Sequence, residues 1–346
     1  VNFLSAILAK KLGAAYTIAR INNYEHQLPA NKTHYLELGV DSLIYPQKLA
    51  AREITNLLAQ SGTTEVFEFQ GGKLSLFVIK LMENAPILNK TLREAAELDK
   101  RMVYRAVAIT RNNKTIIPRG DERFQLGDFV YVFTNQASIK SLIKFSGHQE
   151  LDIQKIMILG GSRIGVRTAK ELEKNISIKL IEIDKEKCLE ITDFLTNTLV
   201  INGDGRNIDL LEQEGLDQMD AFIAATGNSE TNIFSCLIVK QHGVRKIIAE
   251  VENIEYILIA EKMGIDAIIN KKHIAASYIF RYTMSTEVNS IFCFMVSKAE
   301  ALEFVAKPGS KITKDILKNI DFPKDAIIGG IVRGKNSFIA KGDTLI

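Results

Sequence analysis

The segment Leu159-Gly160-Gly161-Ser162-Arg163-Ile164-Gly165 carries the clearest chemistry in the chain. It follows a short apolar run, Lys155–Leu159, and opens a helical pattern at about Ile164–Lys174. A glycine turn between strand and helix is the setting of a dinucleotide loop. Gly160 permits the tight turn and Gly165 lets helix and strand pack closely, while main-chain N–H groups at the helix start, within the run Gly161-Ser162-Arg163-Ile164, face a pyrophosphate. Ser162 replaces the middle glycine of the GxGxxG pattern, adding bulk but offering a hydroxyl. Arg163 can pair with phosphate or stand as a solvated loop charge. An acid then ends the next strand: Glu182 lies 17 residues past Gly165, and Asp184 lies 19 past it. A carboxylate there accepts both ribose hydroxyls of an adenosine and repels a 2′-phosphate. NAD(H) or an adenine nucleotide is therefore expected over NADP(H).

Other candidates sit at strand ends, where ligands bind in open parallel sheets. Asp204, within Gly203-Asp204-Gly205, is placed to edge the adenine. Thr226 and Gly227 fall near the pyrophosphate or distal ribose. Glu250 ends the fifth strand, and Arg20 is its counterpart earlier in the chain. These positions require a strand–helix alternation. The sequence predicts strands at 155–159, 178–183, 198–201, 221–225, 246–250 and 267–269. Helices are expected over 164–174, 185–194, 232–241 and 255–263. Near-continuous apolar strands in such an order give a doubly wound parallel sheet. Residues 64–147 read differently: strands at 66–69, 74–82, 103–110 and 129–134, with helices at 92–98 and 136–145, make a small α+β lobe.

The chain repeats itself. Residues 2–25 match 232–255 at an offset of 230 with 8 identities in 24, well above the roughly 6% that chance composition gives. After an insertion near Pro29–Thr33 the match resumes: Gly39-Val40-Asp41 meets Gly264-Ile265-Asp266. Asn113–Asp121 likewise resembles Lys335–Asp343. The expected fold class is α/β, with tandem Rossmann-like doubly wound parallel sheets, each followed by a small α+β lobe. The expected domains are 1–61, the C-terminal part of a first sheet domain; 62–148, the first small lobe; 152–284, a complete second sheet domain; and 288–346, a second small lobe following the first in element order. Alignment of Val1 with Thr231 makes the first copy about 76 residues short at its N-terminal side, and Ile346 aligns with Phe124. The chain therefore reads as a fragment cut at both ends.

Composition excludes several classes. Lys and Arg total 44 against 41 Asp and Glu, a balance that does not suit nucleic acid. Three dispersed cysteines, Cys188, Cys236 and Cys293, do not build a disulfide framework. No apolar run reaches the ~18 residues of a membrane span. The five histidines have no partners at metal-ligand spacing, so no metal site is expected. His242 precedes Gly243 at a helix end and reads as a cap, with Leu12 at its counterpart. Two nucleotide-type folds and two small lobes without catalytic groups look like a sensor and not an enzyme.

The GGSRIG loop, Leu180–Asp184 (LIEID), the GDG turn, Ala224–Asn232 (AATGNSETN) and Ile248–Asn253 (IAEVEN), in tandem order, resemble the TrkA family. Its members are peripheral regulatory subunits of bacterial Trk potassium uptake systems, built of RCK or KTN N-lobes with TrkA-C lobes. The resemblance covers essentially the whole chain. It implies binding of NAD(H), with ATP and ADP as further candidates. It also implies a homo-oligomeric ring of lobes beneath a Trk-type potassium-translocating subunit, on the cytoplasmic face of the plasma membrane. By the same resemblance, Gly160 to Gly165 form the pyrophosphate loop, Glu182 the ribose carboxylate, Thr226 and Gly227 the second phosphate-side contact, and Glu250 the end-of-strand contact. The chain departs from the family at Ser162 and at Glu250, where relatives often carry Arg; an acid at Glu250 would repel phosphate. The alternatives are an NAD-dependent oxidoreductase with an unrecognised substrate site and the gating module of a channel.

Overall fold

The computed structural model describes residues 2–346 except 71, 100, 101, 136, 137, 150, 281, 283–287, 295, 296, 298 and 324. The chain forms two compact units, each drawn from both repeats: 1–58 with 153–285, and 59–152 with 286–346.

The first stretch of unit one runs α1 (Asn2–Lys11), β1 (Ile18–Arg20), α2 (Pro29–Glu37), β2 (Ser42–Ile44) and α3 (Pro46–Ala59). The two strands pair in parallel with Ile18 opposite Ser42. The chain then enters unit two with β3 (Glu65–Phe69), β4 (Leu74–Lys80), α4 (Leu92–Leu98), β5 (Tyr104–Arg111), β6 (Lys114–Ile116), β7 (Phe129–Thr134) and α5 (Ile139–Phe145). These strands form one antiparallel sheet in the order β3-β4-β7-β5-β6. β6 is an addition to the expected strands. It follows a two-residue loop whose Asn112 and Asn113 both adopt positive φ, the geometry that turns a tight hairpin. The expected start of α5 at Gln136 lies outside the described residues.

The second copy returns to unit one. Its elements are β8 (Lys155–Leu159), α6 (Arg163–Leu172), β9 (Ser177–Glu182), α7 (Lys185–Phe194), β10 (Thr198–Asn202), α8 (Ile208–Gln213), β11 (Ala221–Ala224), α9 (Ser229–Gln241), β12 (Lys246–Glu250), α10 (Ile254–Lys262), β13 (Ala267–Ile269) and α11 (Lys271–Phe280). The six strands are parallel in the order β10-β9-β8-β11-β12-β13, which is the doubly wound Rossmann-like arrangement. β11 and β12 are buried at every residue because helices cover both faces, whereas the edge strand β10 has no buried residue. The sequence switches direction between β8 and β11, so their carboxyl ends leave a crevice. The duplication is visible in side chains: Lys10 binds Asp41 at 2.9 Å, and Lys240 binds Asp266 at 2.6 Å. β12 and β13 keep the β1–β2 register, with Ile248 opposite Ala267.

Unit two closes with β14 (Val288–Cys293), β15 (Glu300–Phe304), β16 (Gly330–Arg333) and β17 (Asn336–Ile339), paired as two hairpins. The expectation that this lobe repeats the element order of the first holds for the hairpins and fails for the helix. Where α4 stands in the first lobe, the second has only a 3-10 turn, Leu317–Asn319. The first lobe's helix has a capping box, Thr91 with Glu94; at an offset of 225 these become Ile316 and Asn319, and Leu98 becomes Pro323. Without the cap, and with a proline in the last turn, the helix does not extend. One apolar core joins the two lobes: Phe69, Leu76, Val78, Tyr131 and Phe133 pack with Phe294, flanked by Phe292, Val332 and Ile339.

Candidate functional site

The glycine loop is held by close main-chain packing. Gly160 takes φ of +101°, and its N–H donates to the Ile181 carbonyl at 2.8 Å. A Cβ on Gly165 would lie 2.2 Å from the Gly160 carbonyl oxygen. A Cβ on Gly161 would lie 2.3 Å from Ile191 Cδ1 and 2.8 Å from a Glu182 carboxylate oxygen. At Gly165 the clash is with main chain, whereas a side chain at Gly161 would have to displace the ends of Ile191 and Glu182. Ser162 caps α6, its Oγ accepting the Gly165 N–H at 3.3 Å. The hydroxyl proton stays available to a ligand. Arg163 is exposed at the first position of α6. Ile164 is 2% exposed and belongs to the core, so only its main chain faces the loop.

Glu182 ends β9 beneath this loop and is 7% exposed. One carboxylate oxygen accepts the Gly161 N–H at 2.8 Å and Lys187 Nζ at 2.8 Å; the other accepts the Asp184 N–H at 3.0 Å. Burial pushes the carboxyl's pKa up, but Lys187 and these two N–H donors outweigh it, and the net shift is downward. Asp184 is exposed and caps α7, accepting the N–H groups of Glu186 and Lys187 at 2.9 and 3.1 Å. Asp204 pairs with the exposed Arg206 at 2.7 Å, and this partner lowers its pKa. Its neighbour Gly205 sits tight against Leu159, where a Cβ would approach within 2.1 Å. The GDG turn is thereby drawn in over the end of β8.

Across the crevice, Thr226 follows β11. Its N–H and hydroxyl both donate to Asn232 Oδ1, at 3.0 and 2.6 Å. Asn232 is 1% exposed, and its amide reaches the Glu250 carbonyl at 2.8 Å. A Cβ at Gly227 would have no neighbour within 4 Å, so this turn borders open space. Glu250 is 4% exposed and pairs with Lys271 at 2.9 Å; Lys271 also pairs with Glu252. Burial raises the Glu250 pKa despite the lysine. An acid at Glu250 is expected to repel phosphate; in the structure it is paired with Lys271, which it shares with Glu252. Arg20 belongs to the first copy, exposed at the end of β1, where its carbonyl accepts the Asn2 amide at 2.8 Å.

The structure thus brings the glycine loop and Glu182 into direct contact, and links Thr226 to Glu250 through Asn232. Sequence reasoning missed Asn232, Lys187 and Lys271 as participants. Asn232 was legible as an identity with Asn2; Lys271 lies 21 residues past Glu250, at the start of α11 and beyond α10 and β13, and carried no signal. Among the described residues, no group of three His, Cys, Asp or Glu side chains could hold a metal. Also among them, no helix is long and apolar enough to cross a membrane.

Comparison with known proteins assigns the chain to a family. The TrkA-N domain family matches residues 156–271, from β8 to the start of α11, and the TrkA-C domain family matches 76–147. A Trk system potassium uptake protein TrkA homolog of Archaeoglobus fulgidus is 33% identical over 348 residues, spanning 100% of this chain and 78% of that protein. The chain belongs to the TrkA family. A Vibrio alginolyticus TrkA is 31% identical over 335 residues, covering 95% of this chain and 73% of its own. Among solved structures, the GsuK RCK domain superposes with a TM-score of 0.59 at 16% identity, covering 100% of this chain and 73% of that one. The GsuK channel bound to NAD gives 0.56 at 17% identity, covering 100% and 61%. These likenesses establish a shared RCK-type fold for this TrkA family chain.

Proposed function

We propose that this chain is a peripheral regulatory subunit that senses NAD(H), or ATP and ADP, and controls potassium uptake through a Trk-type membrane transporter. The observation that carries the reading is the buried Glu182 carboxylate, held 2.8 Å from the Gly161 N–H under a loop whose glycines are tightly packed. A dinucleotide fits that cradle: its pyrophosphate against the N-terminus of α6, its ribose toward Glu182, and its distal half toward Thr226 and Gly227. Asp204 would border the adenine, with Asp184 holding α7 in place as its cap. The names of the TrkA relatives support the potassium reading, and the NAD-bound GsuK channel supports the nucleotide.

In this reading the domains are those expected from the repeat: sheet domains at 1–61 and 152–284, small lobes at 62–148 and 288–346. The limit at 284 lies outside the described residues. The lobes assemble into a ring on the cytoplasmic side of the membrane. Leu4 and Leu8 on α1, and Phe234 and Ile238 at the equivalent positions on α9, are exposed apolar pairs suited to lobe–lobe contact. Nucleotide shifts the ring by binding its conformations with different affinities; a coupling of ~1–3 kcal/mol gives a 5–150-fold effect.

Calorimetric titration of NADH, NAD, ATP and ADP into the full chain and a Glu182→Gln variant tests the reading. Binding that is lost or strongly weakened in the variant supports it. Binding that the variant leaves unchanged moves the ligand elsewhere, and no binding by either protein overturns the sensor role for this copy.

A further inference from the structure

Lys187 points to a control on the ribose end of the crevice. A carboxylate offers about four acceptor positions. In Glu182 three are taken, by the N–H groups of Gly161 and Asp184 and by Lys187 Nζ. Two vicinal ribose hydroxyls need two positions. The main-chain donors are fixed by the loop and by the start of α7. Lys187 alone is movable: it stands in the first turn of α7, its side chain is 41% exposed, and its ammonium rides on a flexible four-carbon stem.

We propose that Lys187 is the residue that sets discrimination at the ribose 2′ position, by exchanging its bond to Glu182 for one to the ligand. This inference rests on the reading of Glu182 as the ribose carboxylate. With a 2′-hydroxyl ligand, the ribose displaces Lys187 and takes both free positions on Glu182. With a 2′-phosphate ligand, the displaced ammonium stays beside the phosphate and offsets the repulsion from the carboxylate. A basic side chain next to the ribose is how other dinucleotide folds accept a 2′-phosphate. The expectation from sequence, that Glu182 repels a 2′-phosphate and so favours NAD(H) over NADP(H), is refined accordingly: the site carries its own counter-charge. NADH remains the tighter ligand because only it satisfies Glu182, and Lys187 narrows the gap.

The test is a titration of NADH and NADPH into the full chain, Lys187→Met and Lys187→Arg. Lys187→Met keeps the stem and removes the charge, and Asp184 still caps the helix. In Lys187→Met the preference for NADH over NADPH should widen about tenfold or more, the scale of one hydrogen bond to a charged group. NADH binding itself should hold or tighten, because its competitor is gone. Lys187→Arg should restore most of the NADPH affinity. A general loosening of the fold would weaken both ligands alike and leave their ratio unmoved. NADH binding with an unchanged ratio overturns the role of Lys187 alone. No binding of either ligand by the wild-type chain overturns the nucleotide reading, and this inference with it.

Discussion

The side-chain amide of Asn232 donates to the main-chain carbonyl of Glu250 at 2.8 Å, and Asn2 makes the same bond to Arg20 at 2.8 Å in the first copy. In the second copy the asparagine also accepts from Thr226, so one buried side chain ties the ends of β11 and β12 together. Asn232→Ala leaves the Thr226 N–H and the Glu250 carbonyl without partners. We expect a loss on the order of 3 kcal/mol in urea unfolding. The equivalent Asn2→Ala, at an exposed position, should cost about 1 kcal/mol or less. Equal costs would contradict this account.

The glycines of the crevice separate folding from binding. Gly165→Ala places a methyl 2.2 Å from the Gly160 carbonyl, a main-chain atom that cannot turn aside. Thermal unfolding of this variant should fall by several degrees, with nucleotide binding lost. Gly227→Ala meets nothing within 4 Å and should leave the melting temperature unchanged. On the proposed function it should still weaken NADH, because its methyl enters the space assigned to the ligand.

Lys271 compensates a buried acid. Removing it as Lys271→Met leaves Glu250 charged and unpaired, which should cost about 3–5 kcal/mol at neutral pH. The double variant with Glu250→Gln should recover most of that loss. The sign with pH is set by burial, which already raises the Glu250 pKa. A raised carboxyl gives stability that is kept at low pH and lost as pH climbs through the folded value. The deficit of Lys271→Met should therefore be larger at pH 8 than at pH 5.

Glu173 shows the opposite sign. It accepts the N–H groups of Thr196 and Asn197, each at 2.9 Å, and pairs with Lys170 at 2.9 Å. Burial opposes its ionisation, but these donors prevail and bring its pKa down to about 2. A depressed carboxyl contributes stability that is full above the ordinary carboxylate range and is lost as pH falls toward the folded value. Glu173→Gln should therefore be destabilised at pH 7. The gap to wild type should narrow as the medium is acidified from about pH 5 toward pH 3. A gap that is constant with pH would assign the role of Glu173 to shape, not charge.

Arg167, on the helix that opens at the glycine loop, stacks over Tyr24 of the first copy at 4.0 Å. A double-mutant cycle with Arg167→Met and Tyr24→Leu should return a coupling of about 0.5–1 kcal/mol.

Much of this was legible in sequence because it is local or periodic. The strands 155–159, 246–250 and 267–269 and the helix 185–194 were expected at their observed limits, since each is an apolar run or a capped helix bounded by turn residues. The loop was legible because its glycines answer to main-chain geometry within six residues. The counter-ions were not. Lys271 reaches Glu250 only after a helix and a strand intervene, and Lys187 reads as any surface lysine until the Glu182 rotamer is fixed. The missing helix in the second small lobe shows the other limit. Repeat symmetry predicted it, yet Ile316 and Pro323 had removed its cap and its last turn. Local chemistry overrode the inherited pattern.

The chain crosses between its two units three times, since each unit takes one segment from each repeat. Phe69, Leu76 and Tyr131 are synthesised long before Phe292, Phe294 and Ile339, which complete their core. The growing chain must hold an open apolar sheet face until residues 286–346 arrive. Closing so long a loop adds little free-energy cost, because the penalty grows only with the logarithm of length. It does slow the search, and it leaves a sticky intermediate exposed during translation. The unit then forms from both copies together, so neither small lobe buries its whole apolar face without the other.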